Sequence, residues 1–245
     1  MNLVDALGLA VPASFFAGLA LESLAPAQPQ PPIRGWRWLG TAGFMLMAVI
    51  ATVPAAMIAP YSAQLSLLPF APLGMVPSAL LAYLVYSLLS YAFHRASHNV
   101  PWMWRTFHQL HHSPPRLDLA GAAFFHPLDM LVYAVLTAVT TALCGLDSGG
   151  AALLGLIAAC FGFVQHLNVR TPWALGVVFQ RPEAHSLHHE TGVHAYNYSD
   201  LPLWDILFGT FRNPREFQTR GYGFTGERWR QWGKMLRFVD VERAG

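Results

Sequence analysis

The chain has 245 residues, of which 54% are hydrophobic and only 11% are Asp, Glu, Lys or Arg. Soluble domains carry roughly 25% charged residues, so this composition cannot supply a water-compatible surface and predicts an integral membrane protein. Fifteen basic against thirteen acidic residues leave a net charge of +2, which excludes a nucleic-acid-binding protein that relies on phosphate neutralisation. The two cysteines, Cys144 and Cys160, lie in apolar runs and exclude both a disulfide framework and a cysteine-based metal site.

Five uncharged or nearly uncharged stretches are candidates for membrane segments. A helix needs about 20 predominantly apolar residues to cross roughly 30 Å of hydrocarbon. No basic region precedes the first apolar stretch, so we expect a retained anchor rather than a cleaved signal. We predict an all-α integral membrane helical bundle of about four to five membrane segments, capped by a cytoplasmic histidine-rich helical region. In chain order the predicted segments are residues 6–21, 38–59, 75–97, 119–146 and 148–169.

The positive charges are distributed on one side of these segments. Threading five segments alternately places residues 23–37, 95–118 and everything after residue 169 on one face of the membrane. All fifteen Lys and Arg residues lie in those three stretches. Because positively charged connections stay in the cytoplasm, we predict a multi-pass protein with this face in the cytoplasm. The Pro-rich stretch 25–32 is a linker between the first two segments.

Histidine is the one reactive residue present in excess, and all eleven histidines lie between His94 and His194. Residues three or four apart share a helix face, so each of three clusters presents a chelating surface. The third predicted segment ends at the first cluster, and the other two clusters lie in cytoplasmic stretches, so all three are expected to meet at one membrane face. The clusters are His94 and His98; His108, His111 and His112; and His185, His188 and His189.

Converging imidazoles near a membrane require a partner for their lone pairs, and a metal ion supplies one. An isolated histidine such as His194 is adequately explained as an interfacial residue, but eight in three chelating clusters are not. Eight to ten nitrogens exceed what one tetrahedral zinc ion uses, so two metals are expected. Imidazole suits zinc, copper, iron and nickel, and this leaves the metal open. The His-Glu-x-x-His hydrolase signature is absent because position 95 is Arg, and Glu-x-x-His pairs of carboxylate di-iron bundles are absent too.

These motifs, in this order, resemble the membrane fatty acid hydroxylase / sterol desaturase superfamily of non-haem di-iron oxygenases. The resemblance covers roughly residues 80–213 and rests on the boxes His-x3-His, His-x2-His-His and His-x2-His-His. Ile206 departs from the family pattern, in which Arg often follows the Trp-Asp pair. The flanking matches are residues 104–107, Ser113, His126-Pro127-Leu128, residues 165–168, Asn197-Tyr198, residues 203–205 and residues 208–210.

The resemblance implies a di-iron centre of two Fe ions with O2 as co-substrate, acting on a C–H bond of a lipid such as a sterol or fatty acyl chain. Hydroxylation and desaturation both fit, because both begin with removal of a hydrogen. No catalytic residue beyond the metal ligands and no other cofactor is implied, and the role of His126 stays open. The implied metal ligands are His94, His98, His108, His111, His112, His166, His185, His188 and His189.

Further residues are candidates for supporting roles. Asp129, Glu183, Glu190 and Asn168 are candidate partners that orient the imidazoles, and a surface position is the alternative for each. We expect a lipid to enter from the membrane along a route lined by aromatic residues, although such residues also serve as interface anchors. The candidate lining residues are Phe124, Phe125, Phe161 and Phe163.

Turnover requires electrons from a separate protein, since no flavin, haem or dinucleotide-binding motif is present. An acidic carrier of the ferredoxin or cytochrome b5 type is the expected partner, docking on arginines; contact with anionic headgroups is the alternative role for them. The predicted organisation is N-terminal membrane segments and linker over 1–74, a catalytic domain over 75–213 and a basic cytoplasmic tail over 214–245. The candidate docking residues are Arg212, Arg215, Arg228 and Arg230.

Two other functions fit parts of the sequence. A dinuclear zinc membrane lipid hydrolase would keep the metal site but change its chemistry, and it would turn over without O2. A membrane metal-binding or transport protein would need polar residues through the bilayer. Residues 38–94 contain no charged residue and the histidines gather at one face, which disfavours a transporter.

Overall fold

The computed structural model describes residues 1–242, and the end of the predicted tail, residues 243–245 with Arg243, lies outside the described residues. The described chain consists of helices and connections, with one isolated β-bridge between Glu190 and Tyr222. The predicted all-α membrane bundle is confirmed. The long helices are α1 (Leu3–Leu24), α2 (Trp36–Ile58), α3 (Met75–Asn99), α4 (Pro127–Leu143) and α5 (Ser148–Val164), followed by the shorter α6 (Pro182–His188) and α7 (Pro202–Leu207).

Short helical turns fill the connections. Some are single α-turns, one is π-helical, and the others are 3-10 turns. The α-turns are Ser62–Leu65, Pro101–Met103, Gln109–His112 and Trp232–Met235; the π-helical turn is Trp104–His108; the 3-10 turns are Ala59–Tyr61, Ala71–Leu73, Gly121–Ala123, Trp173–Val177 and Arg228–Arg230.

Within residues 1–242, three helical stretches are long and apolar enough to cross a membrane: Leu3–Leu24, Trp36–Leu65 and Met75–Asn99. Helices α4 and α5 are apolar but have 17 residues each, which at 1.5 Å per residue is roughly 26 Å, shorter than the hydrocarbon core. Their apolar composition suits a membrane, and their length is at the lower limit for a crossing helix. Three long candidate spans and two shorter apolar helices therefore correspond to the five expected segments.

The fourth predicted segment, 119–146, is wrong at its start. The helix begins only at Pro127, after His126 accepts a hydrogen bond from the Leu128 backbone N–H and caps it. Residues 119–126 form a buried connection instead. This stretch is uncharged because it packs against α2, where Ala120 and Ala123 lie directly on Gly40 and Gly43. Apolar composition alone did not distinguish a buried connection from a membrane helix.

The long helices pack pairwise around aromatic and small residues. Helix α2 lies on α4, α1 lies on α5, and α3 contacts both α4 and α5. Phe15 of α1 stacks on Phe44 of α2 with ring centroids 4.4 Å apart, and Phe163 of α5 packs against both. Burial of these rings joins α1, α2 and α5 at the end of the bundle that carries the histidines.

Five helix ends gather on one side of the bundle, as the threading predicts. At the end of α1, the Glu22 carboxylate accepts from the Leu119 backbone N–H at 3.0 Å. At the start of α2, Trp36 Nε1 donates to Asp118 at 2.8 Å. The end of α3, the start of α4 and the end of α5 adjoin the same region through the histidines described below. At the opposite end, the backbone N–H groups of residues 67 and 68 donate to the Leu143 carbonyl.

Close approach of α2 to the buried connection yields a testable prediction. A Cβ on Gly40 would lie 2.7 Å from Ala120 Cα, a backbone atom with no room to move. We expect Gly40→Ala to lower the thermal unfolding midpoint in detergent, by a few degrees, because overpacking costs about 1–3 kcal/mol. The matched control is Gly8→Ala in α1, where a Cβ meets nothing within 4 Å. Equal midpoints for Gly40→Ala and the wild type would contradict this packing.

Candidate metal centre

Four stretches of chain carry the histidines to one place. His94 and His98 occupy the last turns of α3, one helical turn apart. The second box follows in the π-helical turn Trp104–His108 and the α-turn Gln109–His112; π-turns recur at functional sites because they re-aim side chains. His166 lies just beyond the end of α5. The third box lies on α6 and at its C-terminal cap, His189.

The structure brings together all nine histidines singled out as metal ligands, in two groups. Within each group the candidate ligand nitrogens all lie within 4.8 Å of one another. Only His98 is partly exposed, and the other eight are buried. The second and third boxes each contribute histidines to both groups, so the two groups are built on the same two stretches of backbone. The five-histidine group is His94, His98, His108, His112 and His188; the four-histidine group is His111, His166, His185 and His189.

Nitrogen atoms of neighbouring rings approach within hydrogen-bond distance. His94 Nε2 and His98 Nε2 are 3.2 Å apart. In the four-histidine group, His166 Nε2 lies 3.1 Å from both His111 Nε2 and His185 Nε2. A chain of neutral imidazoles cannot satisfy all these contacts by hydrogen bonding, because each ring has only one N–H. A cation between the nitrogens would satisfy several lone pairs at once.

Hydrogen bonds at the outer nitrogen fix the orientation of four rings. In each, Nδ1 has an oxygen acceptor and donates its proton, which leaves the Nε2 lone pair facing the group. Metal-ligating histidines in proteins are held in this way. The pairs are His94 Nδ1 with the Tyr198 carbonyl at 2.6 Å, His108 Nδ1 with Asp129 Oδ2 at 2.9 Å, His166 Nδ1 with the Gly162 carbonyl at 2.8 Å, and His188 Nδ1 with the Tyr196 carbonyl at 2.8 Å.

Several inward nitrogens have no partner among the described residues. The Nε2 atoms of His108, His112 and His188 are buried and accept no hydrogen bond. All three belong to the five-histidine group. An unsatisfied polar atom in a dry interior costs roughly 1–3 kcal/mol. Three such atoms converging on one point fit a bound metal ion, because an all-nitrogen donor set suits transition metals.

Burial also sets the protonation state of these histidines. It lowers the pKa of His166 to about 4. For the histidines of the second and third boxes, burial lowers the pKa well below 6.5, and repulsion from neighbouring imidazoles lowers it further. At neutral pH these rings are uncharged, which is the form that binds metals. The histidines of the second and third boxes are His108, His111, His112, His185, His188 and His189.

Of the four candidate orienting residues, one contacts a histidine. Asp129 is fully buried in the first turn of α4 and accepts from His108. Glu183 instead accepts from Thr171 and pairs with Arg181.

The other two candidates also lie elsewhere. Glu190 faces Arg220 at 3.6 Å. The Asn168 side chain binds the backbone of Gln28 in the linker. Both therefore hold connections together, and neither reaches an imidazole.

Two histidines lie outside the groups. His126 caps α4, and its Nε2 faces the Leu236 carbonyl at 3.5 Å. His194 lies against the centre, with its Nδ1 3.3 Å from His112 Nδ1. Sequence spacing did not reveal this contact, because no other histidine lies three or four residues from His194 on a shared helix.

A cavity of about 610 Å³ leads from the histidines into the bundle between α2, α4 and α5. It begins at histidines of both groups and reaches Ser62 and Asp147 near the opposite end. Two of the four candidate aromatic residues, Phe125 and Phe163, line it, and Phe125 stacks on the His111 ring at 3.9 Å.

The other two aromatic residues pack elsewhere. Phe124 contacts Trp36, and Phe161 contacts Tyr83. The remaining wall carries many alanine and glycine residues among larger apolar and some polar side chains, and it forms a mainly apolar channel along the helices. The alanine and glycine residues of the wall are Ala48, Ala51, Ala55, Ala59, Ala122, Ala134, Ala138, Ala142, Ala151, Gly155, Ala158, Ala159 and Gly162.

Fold and site together define a class: a helical membrane protein that buries two groups of imidazoles at gathered helix ends, beside an apolar cavity. Comparison with known proteins makes the class specific. The fatty acid hydroxylase family matches residues 79–210, more than half of the chain, and the chain belongs to this family. All nine grouped histidines fall within the match.

Curated relatives include lipid-acting enzymes. The chain is similar to an ornithine lipid hydroxylase of Rhizobium tropici, at 34% identity over 56% of the chain and 42% of the relative. It is also similar to a cholesterol 25-hydroxylase-like protein of Danio rerio, at 26% identity over 52% of each. A very-long-chain aldehyde decarbonylase of Oryza sativa subsp. indica is 30% identical over 52% of the chain and 51% of the relative.

The matched region spans about half the length of these relatives. No solved structure matches the chain.

Proposed function

We propose that this chain is a membrane-bound non-haem di-iron oxygenase that uses O2 and externally supplied electrons to hydroxylate a C–H bond of a lipid. The observation that carries the proposal is the pair of buried histidine groups, nine imidazoles in all, at the mouth of an apolar cavity. Membership of the fatty acid hydroxylase family supports the reaction class. Two relatives bear hydroxylase names, which favours hydroxylation over desaturation.

We assign one metal ion to each group, held by the nine histidines. Bound iron would supply the oxidising power that an unactivated C–H bond requires. The chain's own contribution is to exclude water, to present neutral nitrogens and to hold the orientation of the imidazole rings. Asp129 orients the His108 ring, and the carbonyls of Tyr196 and Tyr198 orient the rings of His188 and His94.

The cavity supports a lipid substrate inserted lengthwise. It is lined mainly by apolar side chains and runs along the helices, as an acyl chain in a leaflet does. Ser90, Tyr133 and Thr137 place hydroxyl groups on its wall, so a few polar groups on the substrate have partners. A lipid with an extended hydrocarbon portion, of the broad class named in the relatives, is the proposed substrate. The end beside the histidines is where its reacting carbon lies.

The proposed orientation places the site at the cytoplasmic face of a multi-pass protein. Five helix ends gather on the side of the bundle that carries the histidines, and Lys and Arg lie in those helix ends and in the stretches that adjoin them. Because connections rich in Lys and Arg stay in the cytoplasm, we assign this side of the bundle to the cytoplasmic face of the membrane. The division into 1–74, 75–213 and 214–245 stays a prediction, with the family match inside its central part.

A separate electron donor of the ferredoxin or cytochrome b5 type is part of the proposal. Arg212, Arg215 and Arg230 are exposed, and Arg228 is partly exposed, on the side of the bundle that carries the histidines. An acidic carrier matches this charge. Arg212 lies over the Tyr196 ring, and the Tyr196 carbonyl binds His188, so this surface adjoins the centre.

The proposed reaction is tested on lipid extracts of cells with and without the protein. We expect a lipid one oxygen atom heavier in the cells that carry the wild type. His111→Ala and His188→Ala each remove one ligand from a different group, so both should abolish that product and lower the iron content. The matched control is His126→Asn, which keeps a helix-capping side chain outside the groups and should retain product and iron.

The same measurements separate the alternatives. A lipid lighter by two hydrogens would indicate desaturation. Bound zinc with O2-independent turnover would establish the dinuclear zinc lipid hydrolase instead. Full activity in both His111→Ala and His188→Ala would contradict the proposed centre.

The cavity generates a second prediction for this function. Ala138 of α4 lines the cavity, whereas its neighbour Val139 is 38% exposed on the outer surface. We expect Ala138→Phe to block the channel and to reduce lipid turnover about 10-fold or more, with iron content unchanged. Val139→Phe adds a similar ring facing outward and should turn over at the wild-type rate. Equal turnover by the two variants would show that the lipid binds elsewhere.

A further inference from the structure

His194 connects the five-histidine group to the C-terminal tail. Its Nδ1 lies 3.3 Å from His112 Nδ1, and its Nε2 lies 2.8 Å from Glu242 Oε1. The His194 ring packs against Trp104, with centroids 5.3 Å apart, and against Phe224. His194 belongs to neither histidine group and has both nitrogens engaged. It is therefore placed to act on His112 rather than on a metal.

Counting protons gives one arrangement that satisfies both contacts. His112 Nε2 is buried, without a partner, and belongs to the five-histidine group. If this nitrogen presents its lone pair to the group, the single proton of His112 is on Nδ1. That proton is then donated to His194 Nδ1, and the proton of His194 is on Nε2, where Glu242 accepts it.

The tail is held in place independently of this contact. The Arg228 guanidinium donates to the Glu242 carbonyl at 2.6 Å. The Val241 N–H donates to Gln109 Oε1 at 3.2 Å, and Gln109 Nε2 donates to the Val239 carbonyl at 2.9 Å. Gln109 lies in the second histidine box, so the tail is attached to the same stretch that carries His112. The backbone that carries Glu242 is thus held beside the second histidine box.

The backbone at His194 is also held in an uncommon conformation. His194 has φ 41°, and Tyr196 and Asn197 have φ 66° and 49°, in the left-handed region that favours glycine. Such conformations cost about 1–3 kcal/mol each and persist where surrounding contacts impose them. The Asn197 side chain provides such contacts, because its amide donates to Ala184 and its oxygen accepts from the Arg212 N–H.

We propose that Glu242 and His194 are positioning residues, linked in a hydrogen-bonded chain that holds the His112 ring and its proton so that Nε2 faces a metal ion. This inference rests on the proposed function, because it assumes a metal ion in the five-histidine group. Outer partners of metal-bound histidines typically contribute 10–100-fold to metal affinity. The C-terminal tail thereby helps to orient a metal-binding histidine, although it lies outside the region that matches the family.

The test measures iron retention by the full chain, purified in detergent and loaded anaerobically with Fe(II). Competition with a chelator gives the affinity for each of the two ions. We expect His194→Ala and Glu242→Ala to weaken one ion about 10–100-fold and to leave the other unchanged. Glu242→Gln keeps an oxygen acceptor for His194 Nε2–H and should stay close to the wild type.

A control variant and a second readout exclude a merely structural effect. Glu227→Ala removes an exposed acidic residue of the same tail, whose partner is Arg230, and should retain both ions. The metal-free His194→Ala and Glu242→Ala proteins should unfold at the wild-type temperature. Should His194→Ala fail to fold, the Glu242 variants still test the inference, because Glu242 is 25% exposed at the edge of the fold.

The outcomes that overturn the inference are distinct from failure of the proposed function. Wild-type affinity in both His194→Ala and Glu242→Ala would overturn it while leaving the two-metal centre intact. Complete loss of one ion in His194→Ala, with wild-type affinity in Glu242→Ala, would make His194 a ligand and would also overturn it. A wild-type protein that binds no iron would overturn both the proposed function and this inference.

Discussion

Imidazole nitrogens packed 3.1–3.2 Å apart in a dry interior are the constraint on which this structure depends. Where the outer nitrogen carries the one proton of a neutral ring, the inner nitrogens of neighbouring rings face one another with lone pairs and no proton between them. Protonated rings would instead place like charges together in a buried site. A metal ion in each group, as we propose, would remove the conflict by accepting several lone pairs at once. The hydrogen bonds on the outer nitrogens matter for the same reason, because they keep the inner lone pairs aimed at a common point.

The helical bundle serves this arrangement in two ways. Its helix ends converge, so that short connections rather than long helices carry most of the histidines, and these connections can fold back on one another. Its interior contains a mainly apolar cavity with many small lining residues, and this cavity reaches the histidines, which leaves space for a hydrocarbon chain next to the imidazoles. The proposed metal chemistry at the helix ends and the proposed lipid within the bundle are therefore compatible with one another.

Sequence patterns revealed the parts of the centre that depend on local spacing. Histidines three or four residues apart share a face, so the three boxes were recognisable without a fold. The alternate threading of the apolar segments predicted that the helix ends meet, and in the structure they do. His166 has no such local partner and was identified only through the family resemblance. The contact between His112 and His194 joins residues far apart in the chain, and no spacing rule predicts it.

Two further differences between sequence and structure also arise because contacts between distant residues are not visible in local patterns. Residues 119–126 are apolar because they are buried beneath α2, and a buried connection has the composition of a membrane segment. Asn168 and Glu190 lie next to histidines in sequence, yet their side chains point to the linker and to Arg220. Asp129, another of the four candidates, contacts His108 because it lies in the first turn of α4, where that helix starts beside the second box.

Anomalous scattering at the iron absorption edge, recorded from crystals of the iron-loaded protein, reveals whether the nine histidines hold two metal ions, one in each group. The expected result is two peaks, one enclosed by His94, His98, His108, His112 and His188 and the other by His111, His166, His185 and His189. A single peak, or peaks outside these groups, would contradict the account.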